Sequence, residues 1–373
     1  MFLNNKIYLA ILGIICSQLV FSQVPTIEIL EQGRKTSIRG MSVVNNNVIW
    51  VSGSGGSVGK SLDGGKTWNW MTVAGYEKSD FRDIEAFNDK TALIMGITQP
   101  AVILKTKDGG VSWRKVFEDT AKAAFFDAMD FVIKDKDTSG ILVGDPLVGN
   151  PLNGNFYCVF ASNAGETWQK IDSAMQEIFP KLKKGEAYFA SSGTNIKLFY
   201  EKYDKDILFD HSNHTTFGLV VSGGLNSSLY MIPPMNNGYP LNIIQGKEST
   251  GANSIAVNAN TFRGMIVGGD FANDTSTYKN AVIFKINKLT NGIRFYQPTT
   301  PPHGYRSCVI YMDENNLITC GTSGIDISKD GGMNWELISK ESFHVVQKAK
   351  NGNAVYLAGK GGRIAKFNSK PNL

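Results

Sequence analysis

Seven times along the chain, a short run of β-branched, aromatic or other large apolar residues ends in glycine. The runs are Val48–Gly53, Ala92–Gly96, Ile141–Gly144, Phe217–Gly223, Met265–Gly269, Leu317–Gly321 and Val355–Gly359. Runs this short and apolar, bounded by turn formers, read as buried strands, with glycine where a turn comes close. One strand candidate precedes each run and another follows it, so each unit reads as a four-stranded meander. The units fall near 37–73, 80–118, 124–172, 184–245, 252–298, 304–340 and 342–368, a spacing of roughly 50 residues that suits propeller blades. With no low-complexity linker between them, they predict a single all-β domain over residues 23–373, a seven-bladed β-propeller. The seventh unit is one strand short. The segment Pro25-Thr-Ile-Glu-Ile-Leu30 has no other partner and is expected to supply the missing outer strand, closing the ring and removing its last free edge.

A second pattern overlies the first. Ser61-x-Asp63-x-Gly65-x-Thr67-Trp68 returns as Thr106-x-Asp108-x-Gly110-x-Ser112-Trp113, Ala161-x-Asn163-x-Gly165-x-Thr167-Trp168 and Ser328-x-Asp330-x-Gly332-x-Asn334-Trp335. Glycine can take φ > 0 without steric cost, Asp or Asn can bond its own turn backbone, and the indole buries a large apolar area. The pattern resembles the Asp-box (BNR) turn of sialidase-like propellers. Such a turn is a self-sufficient plug, so Asp63, Asp108, Asn163 and Asp330, with Trp68, Trp113, Trp168 and Trp335, are read as structural and not as acid catalysts.

Residues 1–22 are set apart from the fold. Lys6 precedes the apolar run Ile7–Ile15, and Val20-x-Ser22 offers a small residue for cleavage, the layout of a secretory signal peptide. This implies a periplasmic or extracellular protein. Ile15 stands where a lipobox wants a small residue, which argues against lipidation at Cys16. The remaining Cys158, Cys308 and Cys320 are odd in number and unclustered, so no disulfide framework is expected. The register places Cys308 opposite Gly321, with the Cys308 and Cys320 side chains on opposite faces, each a small buried hydrophobe. Without Lys6 the formal charge is one below the +5 of the whole chain, too small an excess to imply nucleic acid. No run after the leader is long or apolar enough to cross a membrane. An insertion, Glu201–His214, divides the first two strands of the fourth unit; its histidines and carboxylates read as a solvated loop.

Aligning the starts of the seven first strands puts one polar residue of each in register: Arg39, Arg82, Asp127, Glu186, Asn253, Arg306 and His344. First strands line a propeller's channel, so these residues should converge on one mouth of it. The longest connections, Asp145–Asn155, Asp172–Gly185, Asp270–Asn280 and Gln297–His303, share that face, and long loops on a rigid scaffold commonly carry binding. Grouped arginines suit a carboxylate or phosphate. The mouth is therefore expected to bind a polar or anionic small molecule, a glycan or a peptide or protein segment, with Asp83, Asp145, Asp270 and Tyr305 at its rim.

The stretches Phe81-Arg-Asp-Ile-Glu-Ala-Phe87, Gly144-Asp-Pro146, Gly185–Gly193, Gly268-Gly-Asp270, Gly304-Tyr-Arg-Ser307 and Phe343-His344, with the four turns, resemble exported bacterial BNR/YVTN-like (WD40-like) seven-bladed propellers related to the photosystem II stability/assembly-factor family. The resemblance implies a non-catalytic, chaperone-like binder that uses an arginine-bearing face. Some members of the bacterial group are labelled oxidoreductases, but the chain has no Gly-x-Gly-x-x-Gly in a strand–helix setting, no Cys-x-x-Cys-His and no flavin signature. No cofactor and no resident metal are expected. Two alternatives use the same mouth. In a sialidase-like hydrolase or lyase, arginines would clamp a sugar carboxylate, Tyr305 would be the nucleophile, and Asp127 with Glu186 the acid/base pair; the absence of an Arg-Ile-Pro motif and the count of seven units stand against it. A redox or metal enzyme would use His303, His344, Asp145 and Asp270.

Overall fold

The computed structural model describes residues 25–369, apart from 98, 135–136, 147–153, 155, 173–176, 178, 203–213, 233–237 and 288–291. The residues read as a leader, and most of the insertion after Glu201, lie outside the described part.

Each apolar run ending in glycine is the second strand of a blade. The seven are Ile49–Gly53, Ala92–Gly96, Asp137–Gly144, His214–Val221, Arg263–Asp270, Leu317–Gly321 and Val355–Ala358. Among the described side chains of these strands nearly all are buried, because neighbouring blades cover both faces. The innermost strands are Ile38–Val43, Phe81–Ala86, Phe126–Lys134, Ile196–Lys202, Thr250–Asn258, Cys308–Tyr311 and Val345–Lys348. All seven sheets are antiparallel meanders of four strands, and the fifth is extended inward by two short ones. Apolar clusters between successive blades hold the ring together; Trp50 and Val58 of the first blade, for example, pack against Phe81, Ala92 and Val102 of the second. The N-terminal strand Thr26–Glu31 pairs antiparallel with Ile364–Asn368 and completes the seventh blade, as the lone apolar segment predicts.

The repeated turns share one form. Asp63 Oδ1 accepts the Thr67 N–H at 2.9 Å and Oδ2 the Thr67 hydroxyl at 2.6 Å, while Ser61 Oγ accepts the Gly65 N–H. Gly64 and Gly65 have φ of 76° and 88°, which explains the glycine. These bonds hold the Asp63 carboxyl down at about 2, with the Thr67 hydroxyl the chief cause, so it serves as a fixed acceptor. The same arrangement recurs at Asp108 and Asp330. In the third copy Ala161 lacks the hydroxyl, and Asn163 and Ala164 themselves take positive φ.

Three expectations of register are corrected. Cys308 pairs directly with Cys320, so the two side chains share a face; both are buried and free. The fourth blade starts at Ile196, not near 184. Glu186 belongs instead to the two-residue strand Glu186–Ala187, which pairs with Gly223–Gly224 and through it adds to the fifth sheet. Arg306 is the third case. In the first, third and fifth blades a glycine at or near the end of the second strand lies against the carbonyls of Ser37, Phe125 and Gly251, each followed by the residue that pairs just before the bulge. Gly321 lies against that of Tyr305. Arg306 thus stands where the others have Ile38, Phe126 and Ala252, pointing into the blade. A shift of one residue reverses every side chain in a strand.

Candidate functional site

At Arg39, Arg82, Asp127 and Asn253 the pairing of the first strand with the second skips one residue. Such a bulge inserts a residue that the ladder leaves unpaired and re-aims its side chain, here toward the channel. Ser307 and His344 follow Arg306 and Phe343, the equivalents of Ile38, and occupy the same place in the sixth and seventh blades.

The fourth blade does something else. Before its first strand, residues 188–195 cross the channel as a strap. Ser191 O accepts from Arg39 Nη1 at 3.3 Å and Ala190 O from Arg82 Nη1 at 3.5 Å. Ser192 Oγ donates to Ser307 O at 2.7 Å, and Thr194 Oγ1 bonds Ser254 Oγ at 2.7 Å. Gly193 has φ of 66° and lies so close to Asp83 that a Cβ would come within 2.4 Å of its carboxylate. One segment therefore touches blades 1, 2, 5 and 6 and divides the channel into two blind cups.

The upper cup, about 480 Å3, is lined by Arg39, Arg82, Asp145, Asn253, Tyr305 and His344, with Ser307 and the strap as its floor. Phe189, Phe271 and Tyr305 form an aromatic wall with ring centroids 6.0 and 6.2 Å apart, and Phe271 remains half exposed. Tyr305 Oη donates to Asn253 Oδ1 at 2.8 Å. Arg82 is paired with Asp80 at 2.8 Å. Arg39, among the described residues, forms no ion pair; burial and then Arg82 draw its pKa down. His344 is pushed down to about 3 by burial, then Arg39 and Arg82, and is neutral. Asp145 is raised to about 6 by burial, while its Oδ1 accepts the Tyr188 N–H at 2.9 Å. Burial raises Asp127 well above the carboxylate range, the neighbouring Asp145 adds to this, and Arg82 offsets it only in part. Below about pH 6, where Asp145 joins Asp127 in being neutral, the cup holds net positive charge, an arrangement that receives an anion.

The remaining candidates lie elsewhere. Asp83 sits below the strap, not at the rim; its oxygens accept the Ile84 and Met129 N–H groups at 2.8 Å and tie blade 2 to blade 3. Asp270 accepts the Ala272 N–H and caps its own turn. Glu186 accepts from Lys183 N, Ser222 Oγ and Tyr230 Oη and does not line the cup. Asp127 is completely buried, so the acid/base pair of a hydrolase is not assembled around Tyr305. Arg306, fully buried, forms an ion pair with Asp326, whose other oxygen lies 2.6 Å from His303 Nδ1. His303 is thereby engaged by Asp326, and among the described residues no group of three His, Cys, Asp or Glu is placed to hold a metal ion. Sequence reasoning missed Ser307 and the strap. The strap's sole signal was the polar, small-residue run Ala190-Ser-Ser-Gly193 interrupting the strand pattern.

Residues 27–123, which carry the closing strand and the first two blades, match the family described as photosynthesis system II assembly factor YCF48. No protein of curated function matches the chain. Among solved structures, YCF48 bound to a D1 peptide is 14% identical at a TM-score of 0.56, covering 91% of this chain and 96% of that one. YCF48 from Cyanidioschyzon merolae is 15% identical at a TM-score of 0.56, covering 92% and 98%. The Pan2 WD40 domain of Neurospora crassa, 11% identical at 0.52, covers 90% of each chain. At these identities the likeness establishes the fold, a seven-bladed propeller.

Proposed function

We propose that this propeller is a non-catalytic binding module, of the assembly-factor kind, whose upper cup takes an anionic group presented by a peptide or protein segment. The observation that carries the reading is Arg39, a half-buried guanidinium without an ion-pair partner among the described residues, facing an aromatic-walled cup. A charge held out of water in this way is stabilised by a ligand that supplies the counter-charge. Arg39 and Arg82 both lie within the segment that matches the assembly-factor family. A peptide as the bearer of the anion is an argument from fold likeness to a relative described with a bound D1 peptide; the nearby aromatic rings would hold its apolar side chains. Export directed by residues 1–22 is part of the same reading, and an uncleaved N-terminus on protein recovered from cells would remove that part.

Thermal-shift titration of wild type, Arg39→Ala and Arg82→Ala against peptides with free and amidated C-termini, uronic and sialic acids and phosphate tests the site. A stabilisation that depends on the ligand's negative charge and disappears in Arg39→Ala is expected. A ligand that stabilises Arg39→Ala as well as wild type would overturn the assignment of the cup.

A further inference from the structure

The register of the sixth blade sets two thiols against each other. Cys308 on its first strand and Cys320 on its second are direct partners in the antiparallel ladder. Side chains on directly opposed residues share a face, with Cβ atoms about 4.5–5.5 Å apart. A disulfide asks for Cβ atoms about 3.5–4.5 Å apart, so a closure of about 1 Å brings such a pair within reach. Both side chains belong to one apolar cluster, with Ile318, Ile325, Phe343 and Val345, and neither is exposed. Burial raises both thiols above their ordinary range, and Cys320 is raised further by Cys308 beside it. Cys158 lies in the third blade and in a different cluster.

The Cys308 thiol is otherwise lightly held. It donates to Val346 O at 3.3 Å and accepts from Thr194 Oγ1 at 3.6 Å. A thiol is a weak donor and a weak acceptor, so giving up its hydrogen costs the fold little.

We propose that Cys308 and Cys320 form a cross-strand disulfide when the chain folds in the presence of a disulfide donor. The thiolate of one cysteine attacks the donor and releases one donor thiol. The thiolate of the other then attacks the mixed disulfide and releases the second donor thiol. The pair loses two electrons and two protons, and the donor takes up both. Thiolates become scarce once the groups are buried, so the step belongs to the interval before the seventh blade covers the hairpin. Phe343 and Val345, at the start of that blade, form part of the cover, whereas the hairpin holding both cysteines is local and forms early. Exported proteins meet disulfide donors, which agrees with the reading of residues 1–22, but the chemistry requires the donor alone.

Wild type made by cell-free synthesis with either reduced or oxidised glutathione tests this without a variant. The soluble protein is denatured, its free thiols are alkylated, and its peptides are mapped by mass spectrometry without reduction. With oxidised glutathione, the expected product joins the Cys308 and Cys320 peptides, lacks two hydrogens relative to the dithiol and leaves Cys158 alkylated. It should melt about 4 °C above the dithiol form, the shift for a disulfide closing a short loop in a chain of this length. Alkylation of both Cys308 and Cys320 after synthesis with the oxidised donor overturns the proposal. A glutathione adduct on one that never resolves onto the other does so too. A joined pair that melts at or below the dithiol form overturns the fit of the bond to this register.

Discussion

The strap leaves two cups in one channel, and they differ less in how many charges they hold than in how those charges are matched. In the lower cup Lys350 meets Glu85 and also bonds Ser42 Oγ and Ala86 O at 3.0 Å, while Lys197 meets Asp130 at 2.9 Å. Lys348 donates to Met312 O. These contacts run between blades, Lys197 to the neighbouring third blade and Lys350 past the first blade to the second, and act as staples. In the upper cup Arg82 has Asp80, His344 and Asp127 are held neutral, and Arg39 is left with one long bond to a carbonyl. Charge at a propeller's axis is thus compatible with either role, and the presence or absence of a partner separates them.

The comparison can be broken most severely at Arg306, an arginine that is paired. Arg306→Ala strands the fully buried Asp326 and should destabilise the fold by about 3–5 kcal/mol in chemical denaturation. The double change R306M/D326L should recover most of that loss, and a double variant as unstable as the single one would contradict the account. Arg39→Ala should do the reverse. It should leave stability within about 0.5 kcal/mol, while removing about 1.5–3 kcal/mol of anion affinity by titration calorimetry. Below these comes Lys197→Met in the lower cup. That lysine is 42% exposed in its side chain, and its loss should lower stability by under about 1 kcal/mol with no change in ligand affinity.

The smallest effect is a pH dependence. Asp145 is raised from 3.8 to about 6 by burial; it shares the cup with Arg39, Arg82 and His344 and neighbours the buried Asp127. Below that pH the carboxyl is neutral; above it a negative charge stands in the cup and opposes an anion. Affinity should fall by about threefold as pH rises through 6 in wild type and stay flat in Asp145→Asn. The same raised pKa means that the folded chain keeps a proton which the unfolded chain releases near 3.8. Asp145 therefore lowers stability as pH climbs from 3.8 to about 6 and contributes no further change above it.

Blade number, the four turns and the closing strand were legible because each is written in local chemistry: apolar runs of strand length, glycine where φ is positive, and a lone amphipathic segment. Arg39, Arg82, Asn253 and His344 were also placed at the mouth by alignment of strand starts. Register was legible only where the residues before a strand resembled those of its neighbours. Tyr305-Arg306-Ser307 looks like Phe81-Arg82-Asp83 in sequence, yet the chain enters the sixth blade one residue later. The aromatic residue therefore meets the cup, the arginine meets the blade interior, and Cys308 turns to face Cys320. The segment around Glu186 was assigned to a first strand because an extended crossing segment has the same alternation as a strand. Nothing local records that its partners lie on four other blades.

The closing strand sets the order in which this molecule can be finished. Thr26 pairs with Asn368 and Ile29 with Ala365, so during synthesis this strand waits for a partner at the far end of the propeller. Until then both it and Val345–Lys348, Val355–Ala358 and Ile364–Asn368 form a blade with one edge open. Contacts this distant in sequence form late and slowly, and the open edge invites pairing between chains during the wait. A nascent or truncated chain should therefore aggregate where the complete one does not. A peptide spanning Pro25–Glu31, added in trans to a chain that lacks it, should restore the monomer.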